Sequence, residues 1–324
     1  MKFLVTGGAG YIGSHMVKFL RSKKHYVTIF DNLSTGKKKF VQNYDFVNID
    51  LLDIEKLDRE LSKRKFDAVF HFAALSIVDD SQLKPKKYYR NNVIGTKNLV
   101  NTMIKYNLNN FIFSSSASVY GNPKGIKIKE THPKIPISNY GKNKLKIEIF
   151  LKKIGINKNF KSISFRYFNA AGADPSAKIG EDHKPETHLI PSVLNSIRNK
   201  KIYFPIYGND YDTKDGTCIR DYIHVNDIVK AHYLGLKKFK DKKCILQYNI
   251  GTETGYSVLE VLRVIEKVTK FKIRNIIKKR RQGDSPILIA NCKKIRKELN
   301  WKPKYKNINK IISTAWNWHK KLKH

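Results

Sequence analysis

Residues 6–13 read Thr-Gly-Gly-Ala-Gly-Tyr-Ile-Gly, with Gly7, Gly10 and Gly13 directly after the apolar run Lys2–Thr6 and opening the amphipathic stretch Tyr11–Ser22. In this strand–turn–helix setting Gly7 permits the tight turn and Gly10 lets the backbone approach a pyrophosphate. Gly13 allows close packing of helix on sheet, and the helix amino terminus turns its N–H groups toward phosphate. Further short apolar runs follow at Tyr26–Phe30, Ala68–Phe72, Phe111–Ser115 and Ser162–Arg166. They are apolar on consecutive residues, as strands buried on both faces must be. Between them Ile54–Lys65, Tyr88–Tyr106 and Tyr140–Ile154 carry apolar residues at helical spacing. Strand and helix alternating in this way predict an α/β fold with a doubly wound parallel sheet.

After Asn169 the alternation breaks. Ala170–His188 is rich in Gly, Pro and charge and reads as a loop. Strands at Ile202–Tyr207, Leu246–Ile250 and Lys272–Ile277 and helices at Val225–Phe239, Val258–Lys270 and Ile308–Lys320 follow in irregular order. The expected division is a dinucleotide-binding domain over 1–169 and a smaller α/β substrate-binding domain over 170–324, some later segments returning to the first. A length of 324 residues accommodates this.

The chain holds 64 Lys and Arg against 27 Asp and Glu, a formal charge of +37. That is the electrostatic footprint of a nucleic-acid binder. Here, however, the lysines are spread over nearly the whole chain. The densest clusters, Lys37–Lys39 and Lys278–Arg281, lack interleaved aromatics on which bases would stack. The charge therefore predicts weak, salt-sensitive attraction to polyanions and no specific nucleic-acid partner. Three cysteines, Cys218, Cys244 and Cys292, with no CxxC pair, argue against a disulfide framework. No run approaches the ~20 apolar residues that span a bilayer, and no leader pattern precedes the first strand. The expectation is a soluble, cytoplasmic protein with no membrane partner.

Asp31 ends the second predicted strand, 18 residues past Gly13. A carboxylate there accepts hydrogen bonds from an adenosine ribose and repels a phosphate on the same sugar, favouring NAD over NADP. Asp50 and Leu51 follow a predicted strand at Tyr44–Ile49 and suit either an adenine contact or a helix N-cap. Tyr140 and Lys144 stand four apart on one helix face. A tyrosine with an ordinary pKa near ~10 is a poor base at neutral pH, and a neighbouring ammonium stabilises its phenolate. Ser116, at a strand end, supplies a hydroxyl able to bridge substrate and Tyr140.

These residues resemble the extended short-chain dehydrogenase/reductase superfamily, in its UDP-sugar 4-epimerase branch. The likeness spans essentially the whole chain. It rests on Thr6–His15, Asp31–Leu33, His71–Ala74, Asn91–Thr96, Phe113–Gly121 and Tyr140–Lys144. In the second half it rests on Arg166–Asn169, His188–Pro191, Gly208–Tyr211, Asp215–His224 and Gly283-Asp284. The resemblance implies a Rossmann sheet and Tyr140 as catalytic base, with Lys144 as its electrostatic partner and Ser116 as proton relay. It implies NAD contacts from Tyr11, Ile12, Asp31, Asn32, Leu33, Ser34, Thr35, Gly36, Asp50, Leu51, Phe72, Ala73, Ala74, Leu75, Ser76, Asn91, Ser116, Tyr140, Lys144 and Phe168. UDP-sugar contacts would come from Ser116, Tyr140, Tyr167, Asn169, His188, Leu189, Pro205, Ile206, Tyr207, Arg220, Arg281 and Asp284. The implied activity is interconversion of UDP-glucose and UDP-galactose by transient oxidation at the sugar 4-position, in a homodimer. Arg220 and Arg281 carry the fork-shaped donors that suit a diphosphate.

Three positions depart from the branch pattern. Ser76 stands where some members have lysine, Leu288 where some have a tyrosine over the sugar, and Asn139 where proline often precedes the catalytic tyrosine. Ser76 and Leu288 leave 4-epimerisation of a UDP-N-acetylhexosamine or UDP-uronic acid open. A nucleotide-sugar 4,6-dehydratase needs an acid–base pair just after the serine, where this chain has Ala117 and Ser118. A non-enzymatic basic binding protein would account for the charge but not for the Ser116–Tyr140–Lys144 set. The histidines show no metal-ligand spacing, and no metal is expected.

Overall fold

Consecutive apolar residues set the first sheet: Phe3, Leu4 and Val5 have no exposed surface at all, so both faces of their strand must be covered. The structure, a computed structural model, describes residues 1–200, 203–241, 243–281 and 284–322. Its strands are, in chain order, β1 Lys2–Thr6, β2 Tyr26–Asp31, β3 Asp45–Asn48, β4 Ala68–His71, β5 Asn110–Ser116, β6 Lys127–Ile128 and β7 Lys161–Tyr167. They continue with β8 Asn169–Ala171, β9 Tyr203–Tyr207, β10 Ile219–His224, β11 Ile245–Ile250, β12 Gly255–Ser257, β13 Arg274–Lys278 and β14 Ile287–Ala290. The chain divides into two units. One comprises Met1–Tyr120, Lys134–Arg166 and Val229–Tyr248; the other Gly121–Pro133, Tyr167–Ile228 and Asn249–His324.

The first unit is built on a seven-stranded sheet in the order β11-β7-β5-β4-β1-β2-β3. β1 runs parallel to both β2 and β4, β2 to β3, and β4 to β5. The order reverses at β1, which leaves a crevice beyond the carboxyl ends of β1 and β4. One core layer joins Leu4, Phe30, Val69 and Phe111 of the strands to Leu57, Leu99, Met103, Ile147 and Leu151 of the helices. The predicted helix 88–106 is interrupted: a helix at Pro85–Tyr88 runs into a π-helical turn at Tyr89–Ile94 and then into Gly95–Lys105. Such a turn inserts one residue and re-aims its neighbours. Here it carries Asn91 and Asn92.

The second unit contains a sheet in the order β12-β10-β14-β6, with β8 also paired to β10, and the parallel pair β13-β9. Its core gathers Ile190, Val193 and Leu194 from the helix Leu189–Arg198, Val261, Leu262 and Ile265 from Val258–Thr269, and Ile311, Ile312 and Ala315 from Ile308–His319. The strand expected from Ile202 begins at Tyr203, and that expected from Lys272 begins at Arg274. Ile202 itself and Gly283 lie outside the described residues. The excursion Gly121–Pro133 into this unit was not foreseen, nor was the helix Leu189–Arg198. Of the expected loop Ala170–His188, residues 172–188 contain no helix or strand.

Candidate active site

The turn after β1 is as crowded as the glycine spacing implies. Gly7 has φ +71°, and a Cβ there would stand 2.4 Å from the Ala73 backbone nitrogen; one on Gly13 would stand 2.1 Å from the Gly7 carbonyl oxygen. Backbone therefore meets backbone where a dinucleotide pyrophosphate would pass. Gly10 caps the helix Tyr11–Ser22 with no side-chain hydrogen bond, which suits an anion at that end.

Asp31 is buried at the end of β2. Its carboxylate accepts from the backbone N–H groups of Ala9 (2.9 Å) and Leu33 (2.8 Å). Burial raises its pKa, opposed by those two hydrogen bonds. Leu33 takes the left-handed conformation at φ +58°, which the Asp31 bond holds in place. Lys37 N–H donates to the Ala9 carbonyl (2.9 Å), so Asn32, Leu33, Ser34, Thr35 and Gly36 form one loop folded back on the glycine turn. Asp50 accepts from Asn32 Nδ2 (2.9 Å) and from the Leu52 N–H (2.8 Å), and Asn98 Nδ2 donates to the Leu51 carbonyl (3.0 Å). Asp50 thus does not cap the helix Ile54–Ser62; Asp53 does. These residues fit NAD.

The segment Phe72, Ala73, Ala74, Leu75 and Ser76 leaves the end of β4 and is pinned by a residue the sequence reading passed over. Asn92 accepts from Leu75 N–H (2.8 Å) and donates to its carbonyl (2.9 Å), and Asn91 Nδ2 bonds the Asn92 side chain (2.9 Å). Beneath it lies a buried relay. Thr96 Oγ1 donates to the Asn92 carbonyl (2.6 Å) and so accepts from His71 Nε2 (2.8 Å), leaving His71 Nδ1 to accept from Thr6 Oγ1 (2.6 Å). The imidazole is neutral: burial, with Lys144 second, lowers its pKa to about 3.

Tyr140 and Lys144 rise from the first turns of the helix Asn139–Asn157, capped by Ser138 Oγ accepting from Gly141 N–H (3.0 Å). The helix start is tied to Val78–Leu83: Tyr140 N–H donates to Ser81 Oγ (3.1 Å) and Asn139 N–H to Gln82 Oε1 (3.0 Å). Lys144 Nζ donates to the Ser114 carbonyl in β5 (2.6 Å) and stands 5.6 Å from the Tyr140 ring centroid. Ser116, at the end of β5, hydrogen-bonds Tyr140. Its Oγ also lies 3.1 Å from Ser118 Oγ, a hydroxyl free to donate to it, and accepts from the Ser118 N–H at 3.1 Å, which leaves the Ser116 proton for Tyr140. Burial pushes the phenol up to about 12 against the pull of Ser116, and draws the ammonium down to about 7, partly offset by Glu148. Both groups are driven toward their neutral forms, so a nearby positive charge moves the tyrosine strongly.

Behind this trio sits a buried ion pair that the sequence reading missed. Glu148 accepts from Arg166 Nε (2.9 Å) and Nη2 (2.6 Å) and from Ser115 Oγ (2.6 Å), and Arg166 Nη1 donates to the Tyr120 hydroxyl (2.8 Å). The four-residue spacing from Lys144 to Glu148 was its one available signal.

Phe168 and the remaining sugar-nucleotide candidates belong to the second unit. Tyr167 and Phe168 are buried, and Asn169 begins β8 opposite Tyr222. Pro205, Ile206 and Tyr207 end β9, and the Arg281 guanidinium lies over the Tyr207 ring at 4.1 Å. Arg220 and Leu288 face each other in register across β10 and β14. Arg220 donates to the Ser285 carbonyl (2.6 Å) and pairs with Asp284 (3.3 Å). His188 caps the helix Leu189–Arg198 by its backbone, and its ring meets Glu181 and Glu186, with His183 beside them. That convergence was not visible in the spacing of the histidines.

Residues 3–251 match the NAD dependent epimerase/dehydratase family. A UDP-glucose 4-epimerase of Lactobacillus helveticus is 45% identical over 321 residues, 99% of this chain and 97% of that protein. Among solved structures, UDP-glucose 4-epimerase from Brucella ovis in complex with NAD superposes with a TM-score of 0.93 at 40% identity, covering 97% of each chain. The enzyme of that name from Bifidobacterium longum, in complex with NAD+ and UDP, gives 0.94 at 37%, covering 99% of this chain and 98% of that one. No helix among the described residues is long and apolar enough to cross a membrane.

Proposed function

The chain belongs to the NAD dependent epimerase/dehydratase family, and on that premise we propose that Tyr140, Lys144 and Ser116 carry out a sugar-nucleotide epimerisation. The enzyme is an isomerase that interconverts UDP-glucose and UDP-galactose through a 4-keto sugar. NAD, when bound, supplies the acceptor and later the donor of the hydride at the sugar C4, together with a positive charge near the phenol.

The observation that carries the proposal is the arrangement at the end of β5: Ser116 bonded to Tyr140, and Lys144 anchored to the Ser114 carbonyl. Tyr140 Oη takes the proton of the 4-hydroxyl and gives it back. Ser116 relays it, and Lys144 favours the phenolate in between. Because the hydride returns to C4 and the proton to the oxygen on that carbon, no net oxidation occurs. Arg220 and Arg281 hold the diphosphate, which keeps the nucleotide anchored while the keto sugar turns. Leu288 favours a second reading, turnover of an N-acetylated UDP-hexose as well, since leucine occupies less space than tyrosine. The same proposal extends to a homodimer, supported by the superfamily resemblance. It also places the enzyme in the cytoplasm, where buried thiols such as Cys218, Cys244 and Cys292 remain reduced.

The test is to incubate the purified protein with UDP-galactose alone, identify the products, and analyse the nucleotide released on denaturation. UDP-glucose formed without added cofactor, with NAD released, is the expected result. A 4-keto-6-deoxy sugar, no turnover, or NADP as the released nucleotide overturns it.

A further inference from the structure

The loop 172–188 has no helix or strand of its own, yet Glu181, His183, Glu186 and His188 place one potential ligand atom each within 4.8 Å of one another. His188 Nδ1 stands 2.7 Å from Glu181 Oε1 and 3.4 Å from Glu186 Oε1. His183 Nδ1 stands 3.2 Å from Glu181 Oε1 and 3.7 Å from Glu186 Oε2. Four ligands on a tetrahedral zinc at bond lengths of about 2.0–2.2 Å are roughly 3.3–3.6 Å apart, and the observed separations straddle that spacing.

Two further observations separate the cluster from directional ion pairing. His188 Nδ1 touches two carboxylates at once, Glu181 Oε1 at 2.7 Å and Glu186 Oε1 at 3.4 Å, and neither contact has the direction of a well-formed N–H···O bond. The Glu186 side chain is only 6% exposed. Its Oε1 accepts from the Thr187 N–H (2.8 Å) and the His188 N–H (2.9 Å), while its buried Oε2 has the His183 ring nitrogen beside it at 3.7 Å, beyond ordinary hydrogen-bond length. A buried carboxylate oxygen held only by so long a contact is unfavourable unless a cation lies closer to take its charge.

We propose that Glu181, His183, Glu186 and His188 form a four-ligand site for a divalent transition-metal ion, zinc by preference, which fastens the loop 172–188 to the start of the helix Leu189–Arg198. Imidazole nitrogens suit zinc, copper, iron and nickel better than calcium or magnesium. Two carboxylates balance the charge of a divalent ion, with both imidazoles neutral and bound through Nδ1. Two protonated imidazoles would balance the same carboxylates without any metal, and that is the arrangement the experiment must separate.

The protein, purified without a histidine tag and with its NAD in place, is treated with a chelator, desalted and titrated with Co2+ under a visible spectrophotometer, then with Zn2+. One Co2+ per chain, with the intense bands of four-coordinate cobalt, displaced by Zn2+, is expected. Glu186→Gln and His183→Gln should each weaken binding by at least the roughly 10–100-fold that losing an outer-shell partner costs, with retained NAD and unchanged far-ultraviolet circular dichroism reporting that the variant is folded. Should either variant fail to fold, the wild-type titration decides alone. No stoichiometric binding, the weak bands of six-coordinate cobalt, or binding that persists undiminished in a folded variant overturns the proposal.

Discussion

Glu148→Gln tests the support behind the catalytic trio. The carboxylate and its partner Arg166 are almost wholly buried, at 5% and 2% side-chain exposure. Both carboxylate oxygens are engaged, Oε1 by Arg166 Nε and Ser115 Oγ and Oε2 by Arg166 Nη2. Glutamine keeps one acceptor and turns an NH2 group toward the guanidinium, so a buried positive charge loses its counter-charge and meets a second donor. Breaking a buried pair on one side costs about 3–5 kcal/mol. At roughly 2–4 °C per kcal/mol for a unit of this size, the melting temperature should fall by roughly 6–20 °C. Because the one remaining oxygen must then serve Ser115 and the guanidinium together, the bond that holds Ser115 immediately before Ser116 weakens, and turnover should fall as well. Removing both charges should recover most of the stability, since an apolar pair of similar volume is often as stable as the ion pair. The assay is urea unfolding of the holoenzyme for wild type, Glu148→Gln and the double variant Glu148→Leu with Arg166→Met. A Glu148→Gln protein within about 0.5 kcal/mol of wild type, the range of ordinary surface substitutions, would refute the reasoning.

Tyr140→Phe should lower kcat by roughly 10²–10⁴ with little change in UDP affinity, and Ser116→Ala should cost less; rapid-quench turnover and UDP calorimetry check both. His71 has a folded pKa of about 3 against 6.5 unfolded, so between those values the unfolded chain binds the extra proton and stability rises with pH. Between pH 5 and 7 this one group contributes about 2 kcal/mol. His71→Gln should therefore lose that much of the difference between urea midpoints at pH 5 and pH 7. Leu288→Tyr should impair UDP-N-acetylglucosamine selectively and spare UDP-glucose, because the clash is with the acetamido group alone. Wild-type protein that does not turn over the acetylated sugar at saturation would remove Leu288 as the determinant.

β1, β2, β4, β5 and β7 of the first sheet were legible because they are buried on both faces and so read as nearly unbroken apolar runs. β10 was not: it reads Ile-Arg-Asp-Tyr-Ile-His, and its Asp221 is wholly buried yet satisfied by the N–H groups of Thr252, Glu253 and Ala290. A polar residue with its partners supplied from elsewhere in the fold carries no local sign of burial. The helix Leu189–Arg198 was hidden by Pro191, which is tolerated in the first turn because the N–H there has no intrahelical partner. The π-helical turn at Tyr89–Ile94 left the apolar spacing intact while re-aiming Asn92, so the segment read as one helix.

The same contrast governs the site. Gly7, Asp31, Phe72 and Ser116 each stand at or just past the carboxyl end of β1, β2, β4 or β5, and a parallel sheet brings those ends to one edge. Naming the strands therefore located the cofactor residues, and helical spacing added Lys144 to Tyr140. No such rule operates in the second unit. Arg220 meets Leu288 through the register of β10 on β14, sixty-eight positions apart in the chain, and Arg281 reaches Tyr207 from seventy-four positions away. Neither pairing follows from a period or a turn signature, and only the resemblance to related sequences brought these residues forward. Glu181, His183, Glu186 and His188 show the intermediate case. All four lie within eight consecutive positions, but a loop without helical or strand periodicity gives no way to tell which side chains will converge.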